Sequence, residues 1–128
     1  MMWPLLVRQL HDRSQVKGRT DKLSLVQKPS GVTAIRYRAP NGIVFFIEPR
    51  RHPYGEPAVW CREAKQFPAS QKTHTFGEGY VCLGHGLMRW DLTRILVYCD
   101  GWAAGYDAYR RTGKFPPNPY KGLRSARR

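Results

Sequence analysis

A turn signal between two apolar runs constrains the fold of this chain more than any other feature of its sequence. The tripeptide Pro-Asn-Gly at residues 40–42 separates an alternating run at 32–38 from an apolar run at 43–47. Asn-Gly favours the tight turns that join antiparallel strands, and alternation of apolar and polar residues is typical of a half-buried strand. Ile35 and Tyr37 would share the buried face. The sequence therefore predicts a β-hairpin.

Two further strands are predicted beside this hairpin. Leu23–Gln27 is short and apolar and is followed by the turn signal Pro-Ser-Gly, while Ala58–Cys61 follows a proline-containing loop. Consecutive strands joined by short turns favour antiparallel neighbours. We therefore predict a four-stranded antiparallel meander, followed by a polar and irregular segment at residues 62–75.

Two helices are predicted to frame the strands. Residues 3–14 carry apolar side chains at helical spacing, and so does a longer segment at about 92–111. Asp91 is suited to the N-cap of the longer helix, and Gly113 to its end. The apolar stripe of this helix consists of Ile95, Cys99, Trp102, Tyr106 and Tyr109. The combination predicts an α+β fold.

Length and charge limit the organisation of the chain and its partners. The 128 residues suggest one domain at 1–117 with a basic, disordered tail at 118–128, and the net charge of +13 favours acidic partners. No apolar run approaches the ~20 residues that a membrane span requires, and the broken N-terminal run does not resemble a signal peptide. A cytoplasmic protein without membrane contact is expected. Three widely spaced cysteines do not form a disulfide framework.

Two motifs carry a family resemblance that covers most of residues 3–112. The segment 52–59, His-Pro-Tyr-Gly-Glu-Pro-Ala-Val, resembles the Tyr-Pro-Phe-x-x-Pro-x-Val loop of ubiquitin-conjugating enzymes. The segment 79–83, Gly-Tyr-Val-Cys-Leu, is similar to the Gly-x-Ile-Cys-Leu active-site strand of that family, and Trp90 follows Cys82 by eight positions, as the family's tryptophan does. The compact bacterial members are the most similar in size and order of elements.

The resemblance implies a fold and a reaction. The fold would be UBC-like, with an N-terminal helix, the meander, an active-site loop and a long second helix, but without the family's C-terminal helices. Cys82 would accept a ubiquitin-like modifier as a thioester from an activating enzyme and transfer it to a lysine of a protein substrate, without a cofactor or metal. Some bacterial pathways of this kind are linked to antiviral defence. The implied partner-binding residues are Tyr54, Arg8 and Arg13, and the implied structural supports are Trp90, Pro53 and Pro57.

The chain departs from the family beside the cysteine. The family places His-Pro-Asn upstream of it, whereas this chain has His74-Thr75-Phe76, so the asparagine amide that supports the oxyanion is missing. His74 and His85 are the candidates to donate a hydrogen bond or to take the incoming proton. His74 could equally hold its loop by bonding the backbone. Cys61 and Cys99 are interpreted as core residues.

The same residues are compatible with four other functions. Cys82-x-x-His85 has the spacing of half a zinc site, although a second close pair is not visible. A cysteine hydrolase would require a base and an orienting third group, which the sequence does not clearly supply. A catalytically inactive relative acting as a binding module is a further alternative, as is a basic nucleic-acid-binding domain. No recognition motif supports the last of these, so nucleic acid is not the expected partner.

Overall fold

The computed structural model describes residues 3–12, 22–29, 31–49, 57–83 and 91–120. The elements are α1 (Trp3–His11), β1 (Leu23–Gln27), β2 (Thr33–Arg38), β3 (Val44–Glu48), β4 (Ala58–Cys61), a 3-10 helix (Arg62–Gln66), β5 (Thr75–Gly77), β6 (Tyr80–Val81) and α2 (Leu92–Thr112). The predicted α+β class with two helices is confirmed. None of the described helices combines the length and the apolar character needed to cross a membrane.

The described strands form one antiparallel sheet in the order β1-β2-β3-β4-β6-β5. The predicted meander is confirmed for β1 to β4, where Tyr37 is opposite Phe45 and Ile47 is opposite Val59. The predicted count of four strands is too small, because the hairpin β5–β6 adds two more beyond β4. These strands have three and two residues, which is too short for alternation to predict them.

Helix α2 packs on one face of the sheet and encloses the core. Its Trp102 is fully buried and meets Phe45 of β3 edge-on, with ring centroids 6.2 Å apart. The predicted caps are confirmed, since the Asp91 side chain accepts a hydrogen bond from the Arg94 amide at 3.1 Å and Gly113 ends the helix with a φ of 80°. The core interpretation of the remaining two cysteines is also confirmed. Both Cys61 and Cys99 are fully buried.

The helix α1 is joined to the start of α2 by a polar contact. The Gln9 side-chain oxygen accepts a hydrogen bond from the Leu92 amide at 2.6 Å, one of the first-turn N–H groups that a helix leaves without an internal partner. The structure ends α1 at His11, earlier than the predicted residue 14. The last two positions of that prediction lie outside the described residues.

After α2 the chain turns back along the domain as a C-terminal strap, residues 113–120. Phe115 of this strap packs against Trp102 with centroids 5.5 Å apart, and Tyr120 stacks on Tyr98 at 5.1 Å. A Cβ added at Gly105 would lie 2.7 Å from the Phe115 ring. The absence of a side chain at this position of α2 therefore allows the strap to pack closely against the helix. The packed part of the described chain therefore extends to Tyr120, three residues beyond the predicted domain boundary at 117.

Candidate functional site

Cys82 directly follows β6, and both of its backbone polar groups are fixed. Its amide donates to the His74 carbonyl at 2.7 Å, and its carbonyl accepts a hydrogen bond from the Tyr120 hydroxyl at 2.7 Å. The residue is therefore held between the start of the β5–β6 hairpin and the C-terminal strap. This arrangement restrains the backbone that carries the thiol.

The β5–β6 hairpin is docked on β4 through a close glycine contact. Gly79 has a φ of +96°, and a Cβ built on it would lie 2.2 Å from Nε1 of Trp60. The same Nε1 donates to the Glu78 carbonyl at 3.0 Å, and the Cys61 amide donates to the Gly79 carbonyl at 3.0 Å. Only glycine combines this backbone geometry with this approach. The position of Cys82 thus depends on Gly79, three residues before it.

An open cleft of about 720 Å³ lies beside Cys82. Cys82 is half-buried and lines this cleft, whereas the other two cysteines are fully buried. Its lining includes Gln71, His74, Thr75, Cys82 and Pro117. We call this space the cysteine cleft.

The environments of the three cysteines predict selective alkylation. Burial raises the pKa of Cys61 to about 12 and raises that of Cys99 well above its usual value, and the thiolate is the reactive species. N-ethylmaleimide added to the native chain at about pH 7.5 should give one adduct, which peptide mass spectrometry assigns to Cys82. The unfolded chain in guanidinium should give three. Modification of Cys61 or Cys99 before Cys82 would contradict the geometry.

His74 immediately precedes β5, in a conformation that its contacts stabilise. Its φ is 54°, in the left-handed region that side chains rarely adopt. The ring meets Tyr120 at 5.4 Å and Phe115 at 5.9 Å, and Nε2 lies 3.1 Å from the Pro117 carbonyl. A carbonyl only accepts, so Nε2 carries the proton and donates. In the neutral ring, Nδ1 is then the proton acceptor.

The half-buried position of His74 predicts a specific pH dependence of stability. Desolvation lowers the pKa of His74, and the hydrogen bonds to the Pro117 and Pro116 carbonyls oppose that shift only in part. The unfolded chain therefore binds more protons at slightly acidic pH, and the free energy of unfolding should fall between about pH 7 and pH 5. His74→Asn, which retains a residue that tolerates positive φ, should make this fall shallower in urea titrations.

His11→Asn is the matched control for this measurement, because His11 is an exposed histidine at the end of α1. It should retain the pH slope of the wild-type chain. Equal slopes for the wild type and His74→Asn would contradict the assignment.

The structure brings some of the predicted site residues together and separates others. Cys82 and His74 line the same cleft. Arg8 is exposed on α1 and is not among the lining residues, and Pro57 is buried immediately before β4. Five predicted residues lie outside the described part of the chain: Arg13, Pro53, Tyr54, His85 and Trp90.

Sequence reasoning missed the contribution of the C-terminal strap. Tyr120 and Pro117 contact Cys82 and His74 across sequence separations of 38 and 43 residues. The run Pro-Pro-Asn-Pro at 116–119 could have indicated a rigid extended segment, but no pattern indicates where such a segment packs.

Comparison with family models, with curated proteins and with solved structures finds no match for this chain. Among the described residues, no three side chains of the His, Cys, Asp or Glu type come together as a set of metal ligands.

Proposed function

We propose that this chain is a conjugating enzyme of the ubiquitin-conjugating type, in which Cys82 carries a ubiquitin-like modifier as a thioester. The observation that carries the proposal is the half-buried Cys82, which lines an open cleft, while Cys61 and Cys99 are buried in the core. The order of elements supports it, since an N-terminal helix, an antiparallel meander, a cysteine after a short strand and a long helix follow one another as the resemblance implies. The partners would be an activating enzyme, the modifier and a protein substrate.

The reaction has two acyl transfers at one sulfur. In the first, the Cys82 thiolate attacks the thioester carbonyl that joins the modifier to the activating enzyme, and the thiolate of the activating enzyme leaves. In the second, a lysine amine attacks the Cys82 thioester, loses a proton and expels the Cys82 thiolate, which leaves an isopeptide bond. Because the first step exchanges one thioester for another, it requires no strong activation of the thiol. The second step requires a proton acceptor and support for the oxyanion.

His74 fits the role of proton acceptor better than that of oxyanion donor. Its Nε2 hydrogen is engaged with the Pro117 carbonyl, and its lowered pKa keeps the ring neutral near pH 7. A neutral ring with Nε2 protonated offers Nδ1 as a base for the incoming amine. Both the Pro117 contact and the ring packing hold the imidazole beside the cleft.

Gln71 carries the side-chain amide in the described lining of the cleft, and this amide can replace that of the family's missing asparagine. It is exposed in the turn before β5, it lines the same cleft as Cys82, and its amide offers the same donor. We expect Gln71→Ala to slow transfer to free lysine by about tenfold or more while leaving the formation of the Cys82 thioester unchanged. The measurement is a single-turnover discharge assay. Equal slowing of both steps would contradict an oxyanion role.

The function is tested by incubating the chain with a candidate activating enzyme, its modifier and ATP. The expected product migrates as a chain–modifier adduct on a non-reducing gel, disappears with reductant, and discharges when lysine is added. The proposal fails if activating enzymes that charge other conjugating enzymes with the same modifier leave this chain unmodified.

A further inference from the structure

The face of the sheet that points away from α2 carries a row of one arginine and three aromatic residues. The Tyr37 hydroxyl donates a hydrogen bond to Asp100 of α2, and Phe45 packs on Trp102 of the same helix. Because successive side chains of a strand alternate between the two faces of a sheet, the neighbours of these residues on β2 and β3 point away from α2. The strand register there aligns Arg36, Phe46, Trp60 and Tyr80 across four neighbouring strands. At about 4.8 Å per strand, the row spans roughly 14 Å.

Part of this row lines a cleft that continues onto α2. The first cleft, of about 370 Å³, includes Arg36, Phe46, Trp60 and Arg62. A second, of about 410 Å³, includes Tyr106 and Arg110 of α2. The two clefts adjoin, because both are lined by Gly42, Arg62 and Glu63. We call the combined feature the outer groove.

The outer groove presents cations beside aromatic rings. The Arg62 side chain is 84% exposed, and its guanidinium lies 3.9 Å from the Glu63 carboxylate. Three arginines line the groove, against Glu63 and Asp107 as its two acids. The rings of Phe46 and Trp60 lie 5.9 Å apart, tilted at 53°. The groove therefore has more cationic than anionic side chains, and the whole chain has a net charge of +13.

The ring faces already bind one cation of the protein. The Lys28 ammonium lies 4.9 Å from the Trp60 ring and 5.6 Å from the Phe46 ring, and it also pairs with Glu48. The Glu48–Lys28 pair is absent from the lining of the outer groove. The two rings thus bind a cation on their faces, and Arg36 and Arg62 line the same cleft as both rings.

We propose that the outer groove binds single-stranded nucleic acid, with phosphates at Arg36, Arg62 and Arg110 and a base on Phe46 and Trp60. A polyanion complements the arginines, and unpaired bases stack on aromatic side chains without regard to sequence. An acidic peptide would pair with the arginines but would offer no base to stack on the aromatic rings. The bases of a duplex are stacked within the helix and are not free to stack on these rings. The proposal is independent of the chemistry at Cys82.

The test is fluorescence anisotropy of the full chain with fluorescein-labelled single strands of about twelve nucleotides. Separate titrations with RNA and with DNA show which of the two nucleic acids binds more tightly. If three phosphates are neutralised, affinity should fall about fifteen- to twentyfold between about 50 and 200 mM KCl. Arg62→Gln should reduce the salt slope by about 0.7. Phe46→Leu should weaken binding at least about fivefold at both salt concentrations without changing the slope.

Lys72→Gln is the matched charge control, because Lys72 is exposed in the turn before β5 and does not line either cleft. It should retain wild-type affinity and slope, and urea titrations confirm that each variant is folded. The proposal is overturned if single strands do not bind saturably at low salt, or if all three variants weaken binding equally. Equal affinity for duplex DNA, poly-glutamate or anionic vesicles also overturns it, because the aromatic rings would then contribute nothing.

Discussion

Cys82→Ala is expected to abolish the reductant-sensitive adduct between this chain and a ubiquitin-like modifier. The substitution removes the only thiol that lines the cysteine cleft, while the amide and carbonyl of residue 82 keep their bonds to His74 and Tyr120. The variant should therefore remain folded and lose the reaction entirely. Non-reducing gels and intact-mass spectrometry after incubation with activating enzyme, modifier and ATP measure the loss.

Cys61→Ala and Cys99→Ala are the matched controls for this prediction. Each removes a sulfur that is fully buried in the core, so each should lower the free energy of unfolding but still form the adduct. Cys82→Ser should trap the modifier as an oxyester, which persists in reductant because a hydroxyl replaces the thiol. An adduct that survives in Cys82→Ala, or that disappears in Cys61→Ala while the fold persists, would contradict the assignment.

Gly79→Ala is expected to lower the free energy of unfolding by about 2–5 kcal/mol. A positive φ at a residue with a Cβ costs about 1–2 kcal/mol, and Gly79 has a φ of +96°. The new Cβ would also lie 2.2 Å from the Trp60 ring, and such overpacking costs about 1–3 kcal/mol more. Urea titration followed by tryptophan fluorescence measures the sum.

Gly31→Ala separates the two costs. Gly31 has a φ of +90°, but a Cβ built there meets nothing within 4 Å, so this variant should lose only the backbone contribution of about 1–2 kcal/mol. If both variants lower the free energy of unfolding by similar amounts, the Trp60 ring moves away from the new Cβ at no cost in free energy. Because Gly79 docks the hairpin that leads to Cys82, Gly79→Ala should also slow thioester formation, whereas Gly31→Ala should not.

The elements that could be predicted from the sequence are those with strong local signals. The Asn-Gly turn specifies the β2–β3 hairpin, and the cap residues Asp91 and Gly113 bound α2 as expected. The β5–β6 hairpin could not be predicted, because its strands contain three and two residues. Its turn depends on Glu78, a non-glycine residue with a φ of 57°, which no sequence rule indicates.

The candidate site was predictable only in part, for a related reason. Cys82 and His74 were predicted as candidate site residues, and both line the cysteine cleft. The contacts of Tyr120 and Pro117 arise between segments far apart in the chain, where periodicity carries no information. The outer groove is likewise created by register, since Arg36, Phe46 and Trp60 come from three separate strands.

The most direct test of the central claim, that the Cys82 sulfur is open to a large acyl donor, requires no activating enzyme. The native chain is mixed with ubiquitin that carries a C-terminal mercaptoethanesulfonate thioester, and intact mass is followed without reductant. We expect one ubiquitin adduct, mapped to Cys82 by digestion, released by reductant and discharged by free lysine. An unmodified native chain, or acylation of Cys82 only after unfolding, would contradict the account.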